Sequence, residues 1–338
     1  MQLTCFRLNQ DYKSIRNQFP LSDLYPISKR LMANIMLHYL LFLVFFWSSF
    51  RASNGAYNVE SFGAKPDGLT DSTQAFLKAW SAACGSTGPA TLYVPSGSFL
   101  VKPIVFNGPC KNKILFWIDG KILAPTNYWS FGSSGFWILF YQISWLPSRV
   151  AFLMLEGSIS FVASRNVVVS GLTSINSQII HIAIDQCRNI LLEKLKITAS
   201  SLSPNTDGIH MQSSIGITIT NTTIKTGDDC ISIGPGSMNV RIQRITCGPG
   251  HGISVGSLAE HTHEDGVQNV TVTSAVFTGT QNGVRIKSWG RPSSGFANNI
   301  IFQNIIMKNA YNPIIIDQKY CPSGHGCPNQ NSGVKISG

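Results

Sequence analysis

Asn166 opens the segment NVVVSGLTSINS, and five later segments repeat its form: NILLEKLKITAS from Asn189, GITITNTTIKTG from Gly216, NVRIQRITCGPG from Asn239, NVTVTSAVFTGT from Asn269 and NIIFQNIIMKNA from Asn299. Their starts are 23, 27, 23, 30 and 30 residues apart. A second series lies between them: DGIHMQSS, DCISIGPG, HGISVGS, NGVRIKSW and NPIIIDQK. Its central residues Ile209, Ile231, Ile253, Val284 and Ile314 are spaced 22, 22, 31 and 30. Each repeat thus carries short β-branched strands with alternating inward and outward positions, broken by Gly and Asn where the chain turns. Periods of this size, built from strands without helices between them, define a solenoid. The fold expected is all-β, a right-handed single-stranded parallel β-helix. One coil cannot bury its inner face alone, so Ile, Val and Leu of successive coils stack into a continuous core. The Leu/Asn spacing of a leucine-rich repeat is absent, and a β-sandwich gives no reason for the persistent register.

Ahead of the repeats, DSTQAFLKAWSAAC from Asp71 to Cys84 has the pattern of a short amphipathic helix, with Asp71 or Ser72 as N-cap and Gly85 just past its end. Such a helix would cover the open first coil, because the end strands of a solenoid need a cap. Composition agrees with a strand-rich fold. The 338 residues are 43% hydrophobic and 12% charged, with 30 glycines, which excludes a disordered chain and argues against an all-α one.

The formal charge is +10, of which residues 1–55 contribute +4 and the remainder +6. No dense basic run interleaved with aromatics occurs, so nucleic acid is not an expected partner. A diffuse cationic surface instead suits an acidic polymer such as a polyuronide. The longest apolar run, Ile35 to Trp47, has 13 residues, too short for a bilayer span, which needs about 20. With Lys29 and Arg30 before it and small residues after it, residues 32–55 read as a secretory signal cut near Gly55, with no stable membrane anchor. Residues 1–31 then form an N-terminal extension, Met32 being the more natural start. Residues 56–338 form the β-helix catalytic domain, expected to act as a secreted monomer in the cell wall.

Eight cysteines fit an oxidising compartment. Cys5 lies in the extension, and the odd number left implies a free thiol. Cys321 with Cys327, Cys84 with Cys110, and Cys230 with Cys247 are the plausible pairs, leaving Cys187. None has metal-ligand CxxC spacing, so a zinc site is not expected. Asn221-Thr-Thr and Asn269-Val-Thr are glycosylation sequons.

The chemistry sits on outward positions of the second series: Asn205, Asp207 and His210 in SPNTDGIH, Asp228 and Asp229 in GDDCISIG, His251 in GPGHGISVGS, and Arg285 and Lys287 in RIKSW. Asp207 and Asp228 are 21 residues apart and Asp229 and His251 are 22, close to one repeat each. Residues one period apart lie on neighbouring coils, about 4.8 Å from each other. Three carboxyls and a histidine therefore converge on one patch, with Arg285 and Lys287 a coil further along. Crowded carboxylates raise at least one pKa, so one acts as a protonated acid while another stays ionised. Hydrolysis of a glycosidic bond needs that division, and the cations suit a substrate that is itself acidic.

In this order, NTD, GDD, GHG and RIK resemble the four signature motifs of the polygalacturonases, and YNVESFGAKPDGLTDSTQAF resembles the start of their mature domain. The resemblance covers roughly residues 57–140 and 158–338. It implies hydrolysis of α-1,4 bonds between galacturonic acid units in pectin, with inversion and without metal or organic cofactor. By it, Asp228 is the general acid and Asp207 with Asp229 holds and activates the water. His251 tunes the acid, Arg285 and Lys287 bind a substrate carboxylate, Asn205 belongs to the NTD motif and Tyr320 lies near the reacting sugar. Cys230 with Cys247 matches a family disulfide beside the site.

The sequence departs from this pattern twice. YQISWLPSRVAFLMLE, residues 141–156, replaces a Gly-, Asp- and Trp-rich segment, and a malformed coil or cleft is expected there. The chain also stops at Gly338, where the family continues for several coils, so an apolar core cross-section is expected at that end. Two rival readings accompany the hydrolase: a catalytically impaired pectin-binding β-helix, and a pectate lyase using the Asp cluster to hold Ca²⁺.

Overall fold

The computed structural model describes residues 55–127, 131, 136–150, 158–177 and 179–338. The extension and all of the signal segment but Gly55 lie outside the described residues. Every pairing among the named strands is parallel, in sheets of thirteen, nine and three strands. The nine-stranded sheet bears the candidate site. Its strands are β1 (Ile104–Asn107), β2 (Ile138–Tyr141), β3 (Ile159–Val162), β4 (Ile180–Asp185), β5 (Asp207–Gln212), β6 (Ile231–Ile233), β7 (Ile253–Leu258), β8 (Asn282–Ser288) and β9 (Asn312–Asp317), side by side in chain order. That order, with one strand contributed by each turn of the chain, is the β-solenoid expected from the repeats.

The register follows the sequence periods. Ile209 pairs with Ile231, Ile231 with Ile253, Ile253 with Val284, and Val284 with Ile314. Ile209, Ile231 and Ile253 are fully buried, each contributing about 2 kcal/mol of apolar burial. The row then opens: Ile314 is 76% exposed and Ile316 57%.

The asparagines that open the first series have a common backbone state. Asn166, Asn189, Asn239, Asn269 and Asn299 have φ between 52° and 58°, and Gly216 takes the same place at 76°. Asn tolerates the left-handed region better than other L residues. Its side chain adds a ladder: Asn189 Nδ2 donates to Asn166 Oδ1 (3.2 Å), Asn269 Nδ2 to Asn239 Oδ1 (3.0 Å) and Asn299 Nδ2 to Asn269 Oδ1 (2.9 Å).

Helix α1 (Thr73–Gly85) caps the first coils, burying Phe76, Ala79, Trp80 and Ala83. The Trp80 ring lies 4.9 Å from that of Phe106, and its Nε1–H donates to Asn107 O. Ser72 is the N-cap by position, but the Asp71 carboxylate accepts the Thr73 amide (3.0 Å), and Gly85 is the last helical residue rather than the one beyond it.

Where a malformed coil was expected, β2 pairs in register with both β1 and β3, and Ser144–Val150 pairs with Arg165–Ser170. Ile143 and Leu146 are buried in the core. Tyr141 and Trp145 of the same segment are exposed, and residues 151–157 lie outside the described residues. All three cysteine pairs are bonded, Cys84–Cys110, Cys230–Cys247 and Cys321–Cys327, and Cys187 is free and buried. Among the described residues no helix is long and apolar enough to cross a membrane.

Candidate active site

The polar patch is assembled by strands β5 to β9 and the turns that enter them. Asp207 opens β5, and the next residue's amide, Gly208 N–H, donates to Asp229 O in the turn before β6 (2.9 Å). His251 N–H in turn donates to Asp228 O (2.7 Å), which sets the imidazole one coil beyond the paired aspartates. Gly252 permits the close approach of the following coil to this turn. At φ +90° a Cβ there would lie 2.3 Å from the Asn282 and Gly283 carbonyl oxygens, so only glycine fits after His251.

Asp229 is the deepest of the three carboxyls, with a side chain 1% exposed. Its Oδ1 accepts from Arg285 Nη2 (2.8 Å) and Ser254 Oγ (2.8 Å), and its Oδ2 from Lys287 Nζ (2.8 Å). Arg285 and Lys287, expected to face a substrate carboxylate, thus lie buried against Asp229. Tyr320 covers them, its ring 4.8 Å from Lys287 Nζ and 5.8 Å from the Arg285 guanidinium carbon, an arrangement that favours cations. Burial works against the Lys287 ammonium, yet the Asp229 charge outweighs it and the pKa is raised.

Asp228 is the more open, with a side chain 22% exposed and Oδ1 2.9 Å from His251 Nδ1. Burial opposes its ionisation. The hydrogen bond and charge of His251, the charge of Lys287 and the Asp229 amide together overcome that, and its pKa is lowered. Asp207 goes the other way, pushed up to about 7 by burial first and then by the negative charge of Asp229 and Asp228. Burial and crowding therefore shift two of the carboxyls in opposite directions, Asp207 up and Asp228 down.

The structure brings Asp207, Asp228, Asp229, His251, Arg285, Lys287 and Tyr320 together. Asn205 is exposed at a left-handed turn (φ 52°) two residues before Asp207. Asn221 and Asn269 are exposed on the separate thirteen-stranded sheet. Two residues of the patch escaped the sequence reading. Ser232 Oγ donates to Asp207 Oδ2 (2.6 Å), as Ser254 Oγ does to Asp229. Both are the outward residue of consecutive repeats, CISIG and GISVG, so their 22-residue spacing was the available signal. Asp228, Asp229 and His251 also bring ligand atoms within 4.8 Å of one another. A cation there would have to compete with Arg285 and Lys287 for Asp229.

Carboxyls of opposed proton affinity, on the outer face of a parallel β-solenoid and backed by buried cations, make the site of a glycoside hydrolase. Residues 154–338 match the model described as Glycosyl hydrolases family 28, and residues 56–113 that of Rhamnogalacturonase A/epimerase, pectate lyase-like. A polygalacturonase of Prunus persica is 50% identical over 317 residues, covering 88% of this chain and 81% of that protein. An exopolygalacturonase of Platanus acerifolia is 41% identical over 309 residues, covering 85% and 81%. The chain belongs to glycosyl hydrolases family 28. Its fold is shared with the exopolygalacturonase from Thermotoga maritima, with a TM-score of 0.69 at 19% identity over 84% of this chain and 81% of that one. It is also shared with the polygalacturonase from Erwinia carotovora ssp. carotovora, with a TM-score of 0.65 at 23% identity over 79% and 90%.

Proposed function

We propose that this protein is a secreted polygalacturonase that hydrolyses α-1,4-galacturonosidic bonds of cell-wall pectin with inversion. The observation that carries this reading is the gathering of Asp207, Asp228 and Asp229 in one patch, with His251 on Asp228 and Arg285 and Lys287 on Asp229. An inverting glycosidase needs a protonated carboxyl for the leaving oxygen and an ionised one for the water. The relatives named above, polygalacturonases at 50% and 41% identity, supply the substrate class.

In this mechanism Asp228, the most open carboxyl, gives its proton to the glycosidic oxygen, while Asp207 and Asp229 hold and activate the water. A galacturonate chain brings its own negative charge and displaces water from Asp228, and both effects raise the affinity of Asp228 for a proton. His251 holds the Asp228 carboxyl in place. Arg285 and Lys287 supply positive potential for a substrate carboxylate under Tyr320, and Asn205, exposed two residues before Asp207, is a further substrate-binding candidate. The raised pKa of Asp207 favours a second reading in which the roles exchange, Asp207 acting as acid and Asp228 as base. A substrate with an activated aryl leaving group separates the two, since it restores activity only to the variant that has lost the acid.

The test of the function is release of reducing ends from polygalacturonic acid with a chelator present, by protein produced from Met32, beside D228N. Release that disappears in D228N supports the hydrolase. An ultraviolet-absorbing unsaturated product would mark a lyase instead. Tight binding of polygalacturonate by folded protein, with no release, would mark a pectin-binding β-helix.

A further inference from the structure

One side chain of the patch has no part in the mechanism above. His210 stands on β5 three residues after Asp207, largely buried, with Nδ1 2.7 Å from Ser232 Oγ. Ser232 Oγ–H points at Asp207 Oδ2 (2.6 Å). We propose that His210 is a positioning residue that acts on Asp207 through Ser232, fixing the direction of the serine proton and so the orientation and ionisation of the carboxyl.

The neighbouring rungs carry the argument. His210 pairs with Ser232, Ser232 with Ser254 and Ser254 with Arg285, so these four form one outward row. Ser254 does for Asp229 what Ser232 does for Asp207: it donates to the carboxylate (2.8 Å) while Arg285 Nε donates to its oxygen (2.9 Å). Arg285 has no acceptor to offer, so Ser254 has one orientation. His210 occupies the corresponding place beside Ser232. A hydroxyl has a single proton, and when Asp207 is ionised that proton goes to it, so the lone pair faces Nδ1 and His210 carries its hydrogen there. Protonating Asp207 would weaken it as an acceptor for the serine proton, so the relay favours the carboxylate. Burial lowers the pKa of His210, which keeps the ring neutral and its single hydrogen decisive. The charged groups around the pair are Asp185 on β4, Asp228 and Asp229 before β6, and Lys287 on β8, with Gln212 on the same strand.

The inference rests on Asp207 belonging to the catalytic pair. Its test uses S232A and H210F, with S232T and H210Q as conservative partners and S232C in reserve should S232A not fold. The readouts are the pH profile of kcat/KM on polygalacturonate and the titration of Asp207 by carboxyl-carbon NMR, assigned with D207N. Losing the relay should raise the Asp207 midpoint by about one unit in S232A and H210F. The profile limb that follows Asp207 should move with it, a change of about tenfold at a pH on that limb, with KM nearly unchanged. S232T and H210Q, which keep a donor, should return toward the wild type. Wild-type titration of Asp207 in both S232A and H210F overturns the inference. A folded wild type that releases no reducing ends overturns the hydrolase reading instead, and the NMR titration still decides the relay.

Discussion

Lys287 Nζ and Asp229 Oδ2 meet at 2.8 Å across 58 residues of sequence, both side chains under one-tenth exposed. A buried pair of this kind contributes little net stability over an apolar replacement of both members, but removing one member leaves a buried charge without its partner. Lys287→Met should therefore lower stability by about 3 kcal/mol and abolish most reducing-end release. Arg285 and Ser254 remain on Asp229, which keeps the loss at the lower end. Thermal unfolding at neutral pH checks the first effect, and a midpoint equal to that of the wild type would contradict it.

The carboxyls also set how stability varies with pH. Asp207, raised from 3.8 to about 7, contributes stability that is complete below the ordinary carboxylate range and is lost as pH rises toward 7. Asp228, lowered, contributes stability that is present above that range and is lost as pH falls through its depressed value. Between pH 4 and 7 the two do not overlap; buried His181, lowered to about 4, slopes the opposite way there, so comparison with Asp207→Asn isolates the Asp207 contribution. The wild type should lose roughly 3 kcal/mol relative to Asp207→Asn across this interval. Denaturant midpoints at half-unit pH steps measure it, and parallel curves for the two proteins would show that Asp207 is not raised.

How far these features were legible depends on what the repeat determines. A period read from Ile209, Ile231, Ile253, Val284 and Ile314 dictates the register, and register alone stacks Asp207, Asp228 and His251 on neighbouring coils. Of the cysteine pairs, Cys321–Cys327 was legible from closeness in the chain and Cys230–Cys247 from the family resemblance. Depth was not legible. Whether Asp207 or Asp228 keeps the proton depends on which is more enclosed and on how His251 points, and both arise from turns outside the strand pattern. Ser232 and Ser254 were passed over because a serine on an outward strand position is ordinary until a carboxylate is found beside it. The pairing of Arg285 and Lys287 with Asp229 spans two coils, one more than the adjacent-coil argument covers.

Cys187 belongs to a stacked row with Ser164 and Ser214. Ile143 N–H donates to Ser164 Oγ (3.0 Å), Ser164 N–H to Cys187 Sγ (3.4 Å) and Cys187 N–H to Ser214 Oγ (3.0 Å). The row needs a small acceptor at each rung, and serine already fills two of them. Cys187→Ser should thus leave the unfolding midpoint nearly unchanged. Cys187→Ala, which strands the buried Ser164 amide, should cost about 1–3 kcal/mol. Burial pushes the thiol up to about 11, so Cys187 should react with thiol reagents only on unfolding. Rapid labelling of Cys187 in the native protein would contradict this account.

The two sequons differ in what their amide groups already do. Asn269 is a rung of the asparagine ladder: its Nδ2, the atom a glycan would join, donates to Asn239 Oδ1, and its Oδ1 accepts from Asn299. Asn221 uses only its oxygen, which accepts from Arg244 Nε (2.6 Å). A glycan on Asn269 must fit between two stacked coils, whereas one on Asn221 leaves the hydrogen bond to Arg244 in place. Protein exported from a eukaryotic host should therefore carry sugar at Asn221 with higher occupancy than at Asn269. Asn239→Ala, which removes the acceptor facing Asn269, should narrow the difference. Peptide mapping by mass spectrometry reads both occupancies, and full modification of Asn269 with Asn221 bare would show that the ladder does not govern access to the amide.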